Sequence, residues 1–122
     1  MMAIEHLDER FPITMQLNES ASPAILVNVF TVDPDEVDAL LKAWENDANW
    51  MKKQPGYIST QLHRGIAGSC VFMNYAVWES VAHFRAAFTH PEFLSALGHY
   101  PPSAVAKPHL FQRIAVANLC TG

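Results

Sequence analysis

From Ala24 to Val32 the chain reads AILVNVFTV, in which Asn28 and Thr31 are the polar positions. A β-branched, nearly continuous apolar run of this length predicts a strand buried on both faces. The period then changes. Asp33, Pro34 and Glu36 have the spacing of a capping box with proline at the first helical position. Behind them Val37, Leu40, Leu41, Trp44, Ala48 and Met51 recur at helical intervals, and the acids between them, Asp38, Glu45 and Asp47, are expected to face water. QPG at 54–56 stops this helix near Lys53. YISTQLHR (57–64) reads as a second strand, GIAG (65–68) as a turn, and CVFMNYAVW (70–78) as a third strand. Ser80 caps a helix carrying Val81, Phe84, Ala87 and Phe88 on one side. Thr89, Pro91 and Glu92 restart it with a second cap, and Phe93, Leu94 and Leu97 continue its apolar side. After GHYPPS and Pro108, LFQRIAVAN (110–118) reads as a fourth strand. The order β-α-β-β-α-β is that of a ferredoxin-like α+β domain over 24–118. It follows an N-terminal arm over 1–23, which has no core of its own, and precedes a short tail over 119–122.

The strands carry a second message. Alternate residues of a strand share a face, so Cys70, Phe72, Asn74, Ala76 and Trp78 oppose Val71, Met73, Tyr75 and Val77. In the first strand Leu26, Asn28, Phe30 and Val32 oppose Ile25, Val27 and Val29. Both faces are apolar, yet two helices cover only one face of a four-stranded sheet. A second copy of the same sheet is the simplest cover for the other, which predicts a homodimer with Tyr75 on the dimer side.

Composition narrows the function classes. The 122 residues fit one domain, which buries roughly two-thirds of its unfolded surface. Only 16% of residues are charged and the net charge is −4; the eight basic residues are scattered and form no stripe for a phosphate backbone, so no nucleic-acid partner is expected. No apolar run approaches the ~20 residues needed to cross a bilayer. The N-terminus MMAIEHLDERF carries acids where a signal peptide would be apolar, and a cytoplasmic protein with no membrane partner is the expectation. Cys70 and Cys120 are far apart, and the six histidines include neither a close H-x-H pair nor H-E-x-x-H, so no metal centre is expected.

Asn28 and Asn74 are each the lone strongly polar residue on an apolar strand face. A buried amide without a partner costs on the order of 1–3 kcal/mol. Either nearby backbone satisfies each amide, or the pair and the indole N–H of Trp78 present donors to a bound oxygen inside an apolar pocket. Residue types alone do not choose between these. Phe30, Phe72, Phe84 and Phe88 serve a core and would line the pocket of a planar ligand. His63 shares parity with Tyr57, Ser59 and Gln61 and is a candidate base to ionise a substrate, or an ordinary residue at a strand end.

VNVFTVDPDEVDALLKAW (27–44), QPGYISTQLHR (54–64), NYAVWES (74–80) and FTHPEF (88–93), in this order, resemble the antibiotic biosynthesis monooxygenase family over residues 24–118. The resemblance implies a dimeric α+β barrel. For the quinone-forming members it implies reaction of an ionised phenolic or anthrone-type substrate with O₂, without metal, flavin, haem or nicotinamide. Asn74-x-x-x-Trp78 matches the pair placed near the substrate oxygens in that subgroup, and Asn28, Phe30, His63, Phe72, Phe84 and Phe88 then become substrate-binding candidates. A tyrosine position on the following helix of such enzymes is Phe84 here, so phenol-assisted proton transfer does not carry over from it. The resemblance therefore implies a cofactor-independent monooxygenase acting on a small aromatic, anthrone- or hydroquinone-like molecule. A barrel that binds a hydrophobic ligand without chemistry would use the same residues. The haem-degrading branch matches at Asn28, but Phe88 fills its tryptophan place and His99 is offset from its ligand place. Both ligand readings require a cavity that takes an aromatic ring.

Overall fold

The computed structural model describes residues 2–122. One five-stranded sheet, in the order β1-β5-β2-β4-β3, forms one layer. Its central strand β2 (Ala24–Thr31) pairs antiparallel with β4 (Val71–Trp78) and β5 (Val105–Phe111); β3 (Tyr57–Arg64) extends it beyond β4, and β1 (Ala3–Ile4) lies parallel on β5. The helices are α1 (Ile13–Gln16), α2 (Val37–Met51), α3 (Val81–Phe88) and α4 (Pro91–Ala96). Apart from the arm's β1 and α1, this is the ferredoxin-like α+β order that the hydrophobic pattern predicts.

The register explains where the core lies. Leu26 stands opposite Ala76, Asn28 opposite Asn74 and Phe30 opposite Phe72, so these six share one face. Phe30 and Phe72 pack with Val37, Leu40 and Ala43 of α2. At the other end of the sheet, Leu26, Ala76 and Trp78 pack with Val81, Phe84 and Ala87 of α3. On the opposite face Val27, Val29, Met73 and Val77 are only half-buried, while Val71 and Tyr75 are exposed.

The starts of two helices differ from expectation. Asp33 makes no side-chain cap and Glu36 closes no box; a short 3₁₀ turn over Pro34–Glu36 precedes α2. Both residues instead tie down the loop before β5, Asp33 N donating to Ser103 Oγ (2.9 Å) and Ser103 N to Glu36 Oε1 (3.1 Å). Ser80 caps α3 as expected, accepting from His83 N. At α4 the cap is His90 rather than Thr89: His90 Nδ1 accepts from Glu92 N (3.1 Å), while the Thr89 hydroxyl donates back to Arg85 O.

The last strand occupies 105–111 instead of 110–118. Pro108 reads as a strand breaker in sequence, yet it is fully buried within β5 opposite Asn28. Leu110 N and O bond outward to the Gln16 side chain, and Ala106 O accepts from Glu5 N. Even-numbered residues of β5 thus turn their backbone polar groups away from β2, so the N–H that Pro108 lacks would have met no β2 carbonyl. Proline is tolerated there as on an edge strand. The apolar residues beyond, Ile114, Val116 and Leu119, are exposed.

The arm has a definite place. Ile13 and Leu17 are buried with Trp78, Phe84 and Leu110, and Met2 is buried beside Phe30 and Tyr100. Gln16 extends the ladder where β1 ends: its Nε2 donates to Leu110 O (3.0 Å) and its Oε1 accepts from Leu110 N (2.9 Å). Arg85 of α3 donates to Leu17 O (2.7 Å). Among the described residues no helix is long and apolar enough to cross a membrane, and both cysteines are free.

Candidate functional site

Between the sheet and α2, α3 and α4 lies a cavity of about 70 Å³. The pleat places β2 and β4 residues of one parity on its floor, namely Leu26, Asn28, Phe30, Asn74, Ala76 and Trp78. Residues 44, 47, 48 and 51 of α2, at i, i+3, i+4 and i+7, form its roof, with Phe84, Phe88 and Phe93 closing one side. The walls are apolar and aromatic, and the exceptions are few enough to take one at a time.

Asn74 is oriented by its neighbour on β3. Thr60 Oγ1 donates a short hydrogen bond to Asn74 Oδ1. The acceptor end of the amide is thereby occupied, and its Nδ2 donor is left for the cavity. Asn28, directly opposite, has the complementary character: its Oδ1 is buried without any partner. An orphaned acceptor in an apolar site costs on the order of 1–3 kcal/mol until a donor reaches it. Trp78 is held edge-on by Tyr57 (5.6 Å between ring centroids) and Phe84 (5.8 Å), which fixes the direction of its indole N–H. Phe84 in turn packs on Phe88 and Phe88 on Phe93, each at 5.2 Å.

Two sequence candidates fall elsewhere. Phe72 is buried in the core opposite Phe30, its ring under the Arg64 guanidinium at 5.1 Å, and it does not line the cavity. His63 is exposed on the other face of the sheet, its Nδ1 3.3 Å from Met73 O. The cause is a register shift between Tyr57 and Ser59. Tyr57 stays opposite Trp78 on the cavity side, the bulge absorbs one residue, and Ser59, Gln61 and His63 land opposite Val77, Tyr75 and Met73. The same bulge brings Thr60 to the cavity. Strand parity counted from Tyr57 alone reverses these assignments, so His63 is not placed to act as a base on a ligand here.

Asp47 is the reverse case. Expected to face water, it is the one buried charged residue among those described, at 7% exposure, and it lines the cavity. Its position follows from helical arithmetic, seven residues after Leu40 and three after Trp44, squarely in the apolar stripe of α2. Burial pushes its carboxyl above the usual carboxylate range, while the neighbouring Tyr100 phenol and His99 side chain pull it partly back. The Tyr100 phenol is pushed far upward by its own burial and by the Asp47 charge beside it. Tyr100 also stacks on Phe30 (6.0 Å, 8° between planes), which holds the phenol at the cavity edge. Tyr57, Thr60, Asp47 and Tyr100 are the site residues that sequence reasoning missed.

No histidine lines the cavity among the described residues, and His99 is exposed on its 3₁₀ turn. This lining offers no histidine to serve as axial ligand and too little room for a haem. No group of three or more His, Cys, Asp or Glu side chains among the described residues comes together as a metal site.

Comparison with known proteins agrees with the geometry. A family model described as antibiotic biosynthesis monooxygenase matches residues 23–98. Among solved structures, a putative monooxygenase from Shewanella loihica PV-4 is similar at 34% identity, covering 81% of this chain and 100% of that one, with a TM-score of 0.68. SnoaB, a cofactor-independent oxygenase from Streptomyces nogalater, is similar at 26% identity, covering 80% of this chain and 99% of its own, also with a TM-score of 0.68. A conserved protein of unknown function from Bacteroides thetaiotaomicron, 22% identical with a TM-score of 0.65, shares the fold. No curated protein matches the chain.

Proposed function

This chain belongs to the antibiotic biosynthesis monooxygenase family, and we propose that it oxidises a hydroxylated aromatic molecule of the anthrone or hydroquinone class with O₂ and without a cofactor. The observation that carries the reading is the polar inventory of the cavity. Asn74 offers an N–H donor oriented by Thr60, Trp78 offers a second on a ring clamped by Tyr57 and Phe84, and Asn28 offers an unpaired acceptor. Everything around them is apolar or aromatic apart from Asp47, Thr60 and the two tyrosines. Donors fixed in a dry site stabilise a developing enolate by several kcal/mol. Direct reaction of O₂ with a closed-shell molecule is slow because of spin, but an electron-rich carbanion passes one electron first and avoids that barrier. Promoting ionisation and holding the enolate oxygen are then the whole task of the protein.

The cavity volume sets a condition on this reading. A site of about 70 Å³ is about half the ~150 Å³ of an apolar cavity known to take one benzene ring. An aromatic ring therefore enters only when flexible lining, foremost Met2 and Met51, swings aside. Both are unbranched thioethers with three rotatable bonds, the side chains best suited to such adaptation. The test is oxygen uptake with an anthrone and with a hydroquinone after exhaustive chelation. Uptake with quinone formation is expected. Binding of both compounds without uptake would make the protein a ligand-binding barrel, and activity that returns only on adding metal or flavin would defeat the cofactor-free chemistry.

The reading extends to assembly as a homodimer. It is supported by the half-buried apolar face of Val27, Val29, Met73 and Val77, by exposed Tyr75 and Val71 beside it, and by the exposed apolar residues after β5. An uncovered face of this make-up marks an interaction surface. Sedimentation at micromolar concentration is expected to give twice the 13.6 kDa chain mass; a monomer at that concentration would rule the dimer out.

A further inference from the structure

The oxygenase reading leaves one step without an agent, namely removal of the proton from the substrate. With Phe84 at one wall and His63 on the far face of the sheet, neither position supplies it. We propose that Asp47 is the base that takes this proton and that Tyr100 is the residue that positions it, an assignment that rests on the oxygenase reading. The geometry favours this choice over every other ionisable side chain. Among the described residues three such groups line the cavity, Asp47, Tyr57 and Tyr100, and Asp47 is the carboxylate among them. It projects from α2 in the roof, whereas Asn28, Asn74 and Trp78 sit on the sheet that forms the floor. A planar ligand between the two layers has its oxygen over the donors and its acidic position toward Asp47. Tyr100, on the turn after α4, lines the cavity together with Asp47 and is itself braced against Phe30. From there its phenol is the donor at hand to orient the carboxylate, as the partner of a catalytic base does elsewhere.

The step balances without an outside reductant. An Asp47 oxygen takes one proton from the methylene carbon of the substrate, and the electron pair of that C–H bond stays on the substrate as the enolate held by Asn74 and Trp78. The carbanion passes one electron to O₂, and the two radicals join to form a C–O bond and a peroxide anion. Asp47 returns its proton to the terminal peroxide oxygen. The O–O bond then breaks as the carbon loses its second hydrogen, and water departs. The net change is CH₂ + O₂ giving C=O + H₂O.

Burial gives the carboxylate the added basicity that the task requires. The groups that set its titration are Tyr100 and His99 on the turn after α4; Asn28, Thr60 and Asn74 face it from the sheet and are neutral. Activity requires the ionised carboxylate, so kcat/KM falls as pH drops through its raised value. The Tyr100 phenol beside it lowers that value, so Tyr100→Phe moves the acid limb of the profile to higher pH.

The experiment uses two substrates, an anthrone that is not ionised at the assay pH and an acidic nitro-substituted analogue that already is. Asp47→Asn, nearly isosteric, is expected to lose roughly 100-fold or more on the anthrone and markedly less on the ionised analogue, which needs no proton removed. Equal loss on both substrates, or retention of the anthrone rate, would overturn the assignment while leaving the oxygenase reading intact. Absence of uptake by wild type on either substrate would instead overturn that reading and the base with it. Should Asp47→Asn fail to fold, the Tyr100→Phe profile decides: an acid limb that stays in place refutes the pairing.

Discussion

Trp78→Phe and Asn74→Ala are each expected to slow oxygen uptake on an anthrone by roughly 10- to 1000-fold, the upper part of which is the loss seen when one fixed donor to a developing oxyanion is removed. The expectation follows from how each donor is held. Trp78 lies on the last position of β4, at 2% exposure, its ring bracketed edge-on between Tyr57 and Phe84. Phenylalanine keeps most of the ring volume and both aromatic contacts while deleting the N–H. The loss should therefore fall on kcat, with the fold intact and the melting temperature only modestly lowered. Asn74→Ala deletes a donor and also frees Thr60, whose hydroxyl then lacks its acceptor. Thr60→Val separates these effects. It keeps the shape of Thr60 and the Asn74 amide but releases that amide from its fixed orientation, so it should cost turnover less than Asn74→Ala. Equal rates in wild type, Trp78→Phe and Asn74→Ala would show that the donors do not act on the reacting oxygen.

The parts of this molecule legible in the sequence are those in which one period dominates a stretch. The runs at 24–32 and 70–78 place Asn28, Asn74 and Trp78 on one side by parity, and the register of β2 on β4 sets Asn28 against Asn74. The misses have specific causes. His63 falls on the opposite face from the one that parity predicts, because a bulge reverses parity and leaves no mark in YISTQLHR. The last strand was displaced because Pro108 is tolerated where its missing N–H points away from β2, a condition set by a partner strand and not by the local run. Asp47 was recoverable. Its spacing from Leu40 and Trp44 puts it in the apolar stripe, and the assumption that an acid faces water overrode a period that was plain. Such a clash between residue type and position often marks a functional site, where local rules are broken at a cost offset elsewhere.

Ile13→Ala combined with Leu17→Ala is expected to cost most of the stability of the protein, although both residues lie outside the matched family region of 23–98. Each is a buried aliphatic, at 2% and 6% exposure, and each truncation alone costs about 2–5 kcal/mol. They sit one helical turn apart and share partners, so the two costs do not simply add. A domain of this size is stable by only about 5–15 kcal/mol in total. The double variant should melt on the order of 10 °C or more below wild type, and calorimetry reads this directly. The effect reaches the site because the partners of Ile13 and Leu17 include Trp78, Phe84 and Leu110. Leu110 is also where Gln16 completes the sheet edge, with two hydrogen bonds to one residue's backbone. Loosening α1 therefore loosens the clamp on Trp78, and turnover should fall at temperatures where the variant is still folded. A double variant that melts within about 3 °C of wild type, against the shift expected for buried aliphatics, would mean that the arm rests on the domain without supporting it. The indole would then be held by Tyr57 and Phe84 alone.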